Sequence, residues 1–158
     1  MGKKKIVKQA ESAKSSKMPK VVENPEGYLK KHPIWAFQRC DVNHEKWSIK
    51  NCKNFNEEIL DKLISFEGQT WAEIQSASGG RRNGTNSHFE DIAILCKDAQ
   101  RRIEELHLDI DQVFSLRLTA TLRIYGILEN GVFNVLWYDP NHEICRVCEK
   151  FSVISDLL

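Results

Sequence analysis

The stretch LRIYGILENGVFNVLWYDPNHE, residues 122–143, constrains this chain more than any other. Asn130-Gly131 stands between two runs of aliphatic, aromatic and β-branched residues. Asn-Gly is the strongest short-range signal for a two-residue hairpin, because both central residues of that turn need positive φ. Alternation in the outgoing strand puts Leu122, Ile124, Gly126 and Leu128 on one face and Arg123, Tyr125, Ile127 and Glu129 on the other. In the return strand, Phe133, Val135 and Trp137 share one face, and Val132, Asn134, Leu136 and Tyr138 the other. Counting outward from the turn pairs Arg123 with Tyr138. With the Leu122 face as the core, Arg123 and Tyr125 point together onto an open sheet face. There the guanidinium suits a phosphate and the ring suits a base. The alternative is a solvent-facing arginine resting on its neighbour. In the closing DPNHE, Asp139, Pro140 and Asn141 are turn formers. His142 is then either a plain loop histidine or a chemical group carried on that turn.

The remaining elements supply a class. PIWAFQRCD (33–41) reads as a short strand or extended arm. NFNEEILDKLISFEG (54–68) reads as a helix with Asn56 as its cap, Glu57 and Glu58 in the first turn, an inward stripe of Ile59, Leu60, Leu63 and Ile64, and Gly68 as its end. TWAE (70–73) is a capping box opening a short helix, with Thr70 as the cap and Glu73 reaching back. HFEDIAIL (88–95) reads as a strand. KDAQRRIEEL (97–106) reads as a helix with Ile103 and Leu106 inward. VFSLRLTATLRIYGIL (113–128) reads as strand, interrupted near Thr119–Thr121, and EICRV (143–147) as a further edge strand. Helices precede a run of strands, which gives an α+β fold: N-terminal helices packed on a twisted antiparallel sheet formed mainly by the C-terminal half. Trp35, Trp47, Trp71 and Trp137 read as core.

Charge divides the chain. It has 158 residues and a net charge of +1, but residues 1–20 carry seven lysines against Glu11. Those residues therefore hold +6 and the rest −5. Residues 1–25 read as a disordered basic tail, and residues 26–158 as a single domain. The tail, with Lys3, Lys4 and Lys5, offers electrostatic contact to RNA, or serves only as a solubilising leader. The loop GGRRNGTNSH (79–88) adds Arg81 and Arg82 as phosphate contacts, or is a surface loop without a function. It carries neither a Walker nor a GxGxxG pattern. No apolar run approaches the ~20 residues needed to cross a bilayer, so no membrane partner is expected. The basic N-terminus lacks a signal-peptide core, and the five cysteines are odd in number, which fits free thiols and a cytoplasmic setting. CRVC (145–148) supplies two thiolates where a structural zinc needs four ligands, and Cys40, Cys52 and Cys96 are scattered. No metal and no cofactor is expected.

The stretch SLRLTATLRIYGILENGVFNVLWYDPNH (115–142) resembles the C-terminal half of the RelE/YoeB-like toxins of bacterial toxin–antitoxin systems. SLRLT resembles the family's Ser-Arg-Arg-Ile-Thr strand, and LRIY its His-Arg-Leu-Val-Tyr segment. The resemblance implies a small mRNA endonuclease with helices on a twisted antiparallel sheet, acting on RNA or at the ribosome and held by a cognate antitoxin. Arg123 takes the place of the family's catalytic arginine, His142 that of its terminal acid–base histidine, and Arg117 that of a second cation, with Tyr125 beside them. Position 122 is Leu rather than His. The family's acidic base has no counterpart, and Glu104 and Glu105 on the preceding helix are the candidates. Metal-independent RNA cleavage needs a base for the 2′-hydroxyl proton, a cation for the phosphorane and an acid for the leaving oxygen. Histidine and arginine are the residue types for those roles. The expectation is a metal-independent endoribonuclease. Its rival is a non-catalytic protein- or nucleic-acid-binding module of a defence or mobile-element system.

Overall fold

A computed structural model describes residues 24–77 and 86–145. The basic tail with Lys3, Lys4 and Lys5, and the loop arginines Arg81 and Arg82, lie outside the described residues. The described elements form a mixed α+β fold around a five-stranded sheet in the order β1-β5-β4-β3-β2. The strands are β1 (Ile34–Ala36), β2 (His88–Asp91), β3 (Gln112–Arg117), β4 (Arg123–Glu129) and β5 (Val132–Asp139). Three pairings are antiparallel, but β1 runs parallel to β5, so the sheet is mixed rather than wholly antiparallel. No helix among the described residues is long and apolar enough to cross a membrane.

The hairpin forms on Asn130 and Gly131, with φ of 51° and 84°. Both values are positive, as the tight turn requires. The Gly131 carbonyl accepts from the Trp71 indole at 2.9 Å, which fastens the hairpin tip to α2 (Trp71–Ser76). Thr70 and Glu73 form the expected capping box at the start of that helix.

The expected register holds only near the turn. Gly126 pairs with Val135, but Tyr125 pairs with Trp137, so Leu136 is an extra residue, a bulge. Arg123 consequently stands opposite Asp139, not Tyr138. The bulge also changes which side chains share a face. Leu136 and Trp137 lie together in one core, with Val113, Tyr125, Ala99 and Ile103. Phe133, Val135 and Tyr138 lie in the other, with Phe114, Leu116, Ile124, Ile59, Leu63, Trp71 and Ile74. The first face is covered by α3 (Lys97–Glu105) and Trp47, the second by α1 (Asp61–Glu67) and α2. The sheet is thus sandwiched, and the open face expected beside Arg123 and Tyr125 does not exist: Tyr125 is fully buried and Arg123 nearly so.

Three local expectations also change. The helix at 54–68 begins with a wide turn, Asn56–Leu60, before α1, and Phe55 rather than Asn56 occupies its start, with no side-chain cap. Ile59 and Leu63 are buried as expected, but Leu60 and Ile64 are exposed. Strand β2 stops at Asp91 and Ile92–Ile94 form a single tight turn, so the stretch to residue 95 is not one strand. Residues 143–145 are not strand, and 146–147 lie outside the described residues. Trp47, Trp71 and Trp137 are buried, and Trp35 packs partly buried against the Trp71 core.

Candidate functional site

Residues directly opposite one another in adjacent strands share a face of the sheet. The register therefore places His88, Ser115, Tyr125 and Trp137 in one row across β2, β3, β4 and β5. Arg117, Arg123 and Asp139 form the next row on the same face. Glu90, two residues along β2 from His88, also shares that face. Seven polar residues thus gather toward one end of a single sheet face.

His88 and Glu90 pair through Nε2 and Oε1. The Glu90 side chain is 9% exposed and that of His88 34%, so the carboxylate is held inside while the imidazole edge reaches solvent. The other ring nitrogen, Nδ1, is buried with no hydrogen-bond partner among the described residues. Arg117 lies diagonally across from His88 in the adjoining strand. Its backbone N–H donates to the buried Ser87 hydroxyl at 3.1 Å, and its Nε donates to the Thr119 carbonyl at 3.1 Å. Neither residue of the His88–Glu90 pair was apparent from the sequence, although a His and a Glu two apart in a strand share a face by alternation.

The sequence-derived residues separate into different roles. Arg117 and Arg123 do come together, as cross-strand partners. Arg123 turns its guanidinium onto the loop that joins their strands: Nη1 donates to the carbonyls of Thr119 at 2.8 Å, Ala120 at 3.2 Å and Leu122 at 3.3 Å. Tyr125 is a buried member of its row, and its hydroxyl has no partner in hydrogen-bond geometry among the described residues. Burial raises its pKa far above the usual phenol value; the Ser115 hydroxyl opposite works against this, and the charges of Asp139, Cys145 and Glu90 add to it. His142 sits in the turn after β5 with a φ of 54°. The fully buried Asp139 carboxylate shapes that turn, accepting from the N–H groups of Glu143 at 3.0 Å and Ile144 at 2.9 Å. Glu104 and Glu105 are exposed on α3, and Glu105 pairs with Arg102 at 3.0 Å. Arg102 is not a plain surface charge: it also forks onto the buried Asp41 carboxylate through two hydrogen bonds of 2.8 Å.

Chemically, the row combines a carboxylate-oriented imidazole with a neighbouring guanidinium. The first can take or give a proton, and the second can meet two oxygens of a phosphate at once. Among the described residues no group of three or more His, Cys, Asp or Glu side chains is placed to hold a metal ion. No protein-family model matches the chain, and no curated protein or solved structure resembles it.

Proposed function

We propose that this chain is an RNA-directed protein of the RelE/YoeB-like kind, cleaving phosphodiester bonds by metal-independent acid–base chemistry at the polar end of the sheet. The observation that carries the reading is the His88–Glu90 pair lying one strand from the Arg117–Arg123 row on a common face. Glu90 holds the His88 ring in place through their hydrogen bond, and the imidazole serves as acid or base. Arg117 supplies the cation for the phosphorane, and Arg123 holds the loop that positions it. His142, on the adjoining turn, is the second candidate acid. Partners are RNA, free or on the ribosome, and a cognate antitoxin.

The test has two parts. Induction of the chain in a bacterium is expected to arrest growth, and the purified protein is expected to cleave single-stranded RNA in excess chelator, leaving 2′,3′-cyclic phosphate ends. His88→Ala and Arg117→Ala are each expected to lower the cleavage rate about 100- to 1000-fold, the loss typical of one transition-state contact. Undiminished cleavage by the double variant would refute the assignment. Absence of both growth arrest and cleavage in the unaltered protein would favour the binding-module reading. One observation already favours that second reading: Arg123 and Tyr125 are built into the scaffold rather than presented to a ligand.

A further inference from the structure

A separate cleft lies between residues 43–47 and the outer face of α3. It has a volume of about 280 Å³, at the small end for ligand clefts, and His44, Lys46, Trp47, Asp98, Arg101 and Arg102 line it. A second hollow shares Lys46, Trp47 and Asp98 with it and continues it toward Cys96 and Glu143.

The floor of the cleft is preorganised. His44 lies flat on Trp47, with ring centroids 4.4 Å apart and planes 4° from parallel. Trp47 in turn leans on the buried Trp137 at 5.3 Å. Nδ1 of His44 accepts from two backbone N–H groups, Trp47 at 2.9 Å and Lys46 at 3.1 Å. A backbone N–H can only donate, so Nδ1 is unprotonated and the neutral ring carries its proton on Nε2. Trp47 covers one face of the imidazole, and the ring lines the cleft as a fixed, uncharged, planar group with one donor at its edge.

The rim mixes signs. Lys46, Arg101 and Arg102 face Glu45, Asp98 and Glu105. Arg102 is engaged by Asp41 and Glu105. Arg101 and Asp98 meet only at 3.7 Å and are both mostly exposed, a weak pair that a ligand can displace. A planar platform, an edge donor, carboxylate acceptors and two cations together match a nucleobase and its phosphate. The ring stacks on His44, its amino groups reach Asp98 or Glu45, and Lys46 or Arg101 meets the phosphate. A purely anionic ligand fits poorly, because the rim carries as many carboxylates as cations.

We propose that this cleft binds a nucleobase with its phosphate, from either a free mononucleotide or an unpaired residue of an RNA strand. The proposal does not depend on cleavage at the sheet. The full-length ¹⁵N-labelled chain would be titrated with adenosine, adenosine and guanosine 5′-monophosphates, and a 2′-O-methylated RNA octamer that lacks the hydroxyl nucleophile. Amide shifts are expected at residues 43–47 and along α3, with upfield shifts of the base protons from stacking. His44→Ala is expected to weaken binding roughly ten- to a hundredfold. Should that variant fail to fold, the exposed Arg101→Glu is expected to weaken the mononucleotides severalfold and leave adenosine unchanged. A tighter octamer identifies RNA as the source, and an octamer no tighter than the mononucleotides identifies free nucleotide. The adenosine and mononucleotide shifts at residues 43–47 and along α3 are expected to be the same in His88→Ala as in the unaltered chain, which separates this cleft from the site on the sheet. No shifts with any probe at millimolar concentration would overturn the proposal, as would shifts confined to β2–β4 or full affinity in the folded His44→Ala and Arg101→Glu variants.

Discussion

Arg117 and Arg123 stand opposite each other in β3 and β4, and both donate to the carbonyl oxygen of Thr119. Two like charges on one rung repel each other. The loop of residues 118–122 offsets this by turning its carbonyl dipoles toward them. The pair differs in depth, since Arg123 is buried and Arg117 only partly so. Arg123→Ala is therefore expected to cost about 1.5 to 3 kcal/mol of stability, the range for hydrogen bonds to a charged group, and Arg117→Ala less than about 1 kcal/mol. Urea unfolding of the two variants checks this. Equal losses would show that Arg123 does not hold the loop.

Gly126 adjoins the bulge. A Cβ at this position would lie 2.7 Å from Cζ of Phe133 and closer still to the Asn134 carbonyl oxygen. One obstacle is backbone and the other a fully buried ring, so neither yields easily. Gly126→Ala is expected to destabilise by about 3 kcal/mol, the upper end for overpacking, with a matching fall in thermal midpoint by calorimetry.

Asp139 is a turn-holding carboxylate. Asp139→Ala strips the acceptor from two backbone N–H groups, one of them buried, and is expected to cost about 1 to 3 kcal/mol. Asp139→Asn keeps one acceptor oxygen and is expected to lose roughly half as much. If both variants match the unaltered protein in chemical denaturation, the turn is held by something else.

Asp41 and Arg102 form a pair whose carboxylate is almost wholly inaccessible. Burial pushes the Asp41 carboxyl up, but hydrogen bonds from Arg102 and Trp137 outweigh it and hold the group below the usual carboxylate range. Arg102→Ala leaves that charge buried with the Trp137 indole as its one hydrogen-bond donor among the described residues, and is expected to cost about 3 kcal/mol, the low end for breaking a buried pair. Adding Asp41→Asn should recover part of the loss. A double variant no more stable than the single would argue against the pair.

His44 gives the fold a pH dependence. Burial lowers its pKa, the charges of Arg102 and Lys46 reinforce this, and Asp41 and Asp98 oppose it. The unfolded chain therefore takes up the proton first. The stabilisation is complete above the ordinary histidine value of about 6.5 and is lost as pH falls below it. The Asp41 contribution is lost only in stronger acid, because its folded value lies below the usual carboxylate range. Urea midpoints at about pH 7.5 and 5.5 are expected to differ more in the unaltered chain than in His44→Gln. The same difference in both would remove His44 as the source.

Local signals were legible wherever they were local. Asn130-Gly131 makes its turn, Thr70 and Glu73 make their capping box, and the interruption near Thr119–Thr121 separates β3 from β4. What failed needed knowledge of the partner. FNVLWYD contains no glycine or proline to mark a bulge, so the alternation read from it runs one residue out of step past Val135. Arg123 and Tyr125 read as outward because the hairpin cannot show that α3 covers their face. The His88–Glu90 pair was within reach of strand alternation. Its closeness to Arg117 was not, because that depends on a long-range pairing of β2 with β3.

The extra residue in β5 does more than bend a strand. Leu136 falls out of the ladder with β4, and its carbonyl accepts instead from the Asp41 N–H at 3.0 Å on the opposite edge. The same step turns Trp137 toward Asp41, which accepts from its indole at 3.0 Å and thereby meets Arg102. The strand is in effect written in two phases, and Leu136 is the punctuation between them. Deletion of that single residue would let the strand run in one phase from end to end: Trp137 would follow Val135 directly and stay opposite Tyr125 on the same face. What would go is the Leu136 carbonyl that holds the Asp41 N–H, so the carboxylate on which Arg102 is seated would lose its tie to the strand edge, although it does not touch the hairpin turn.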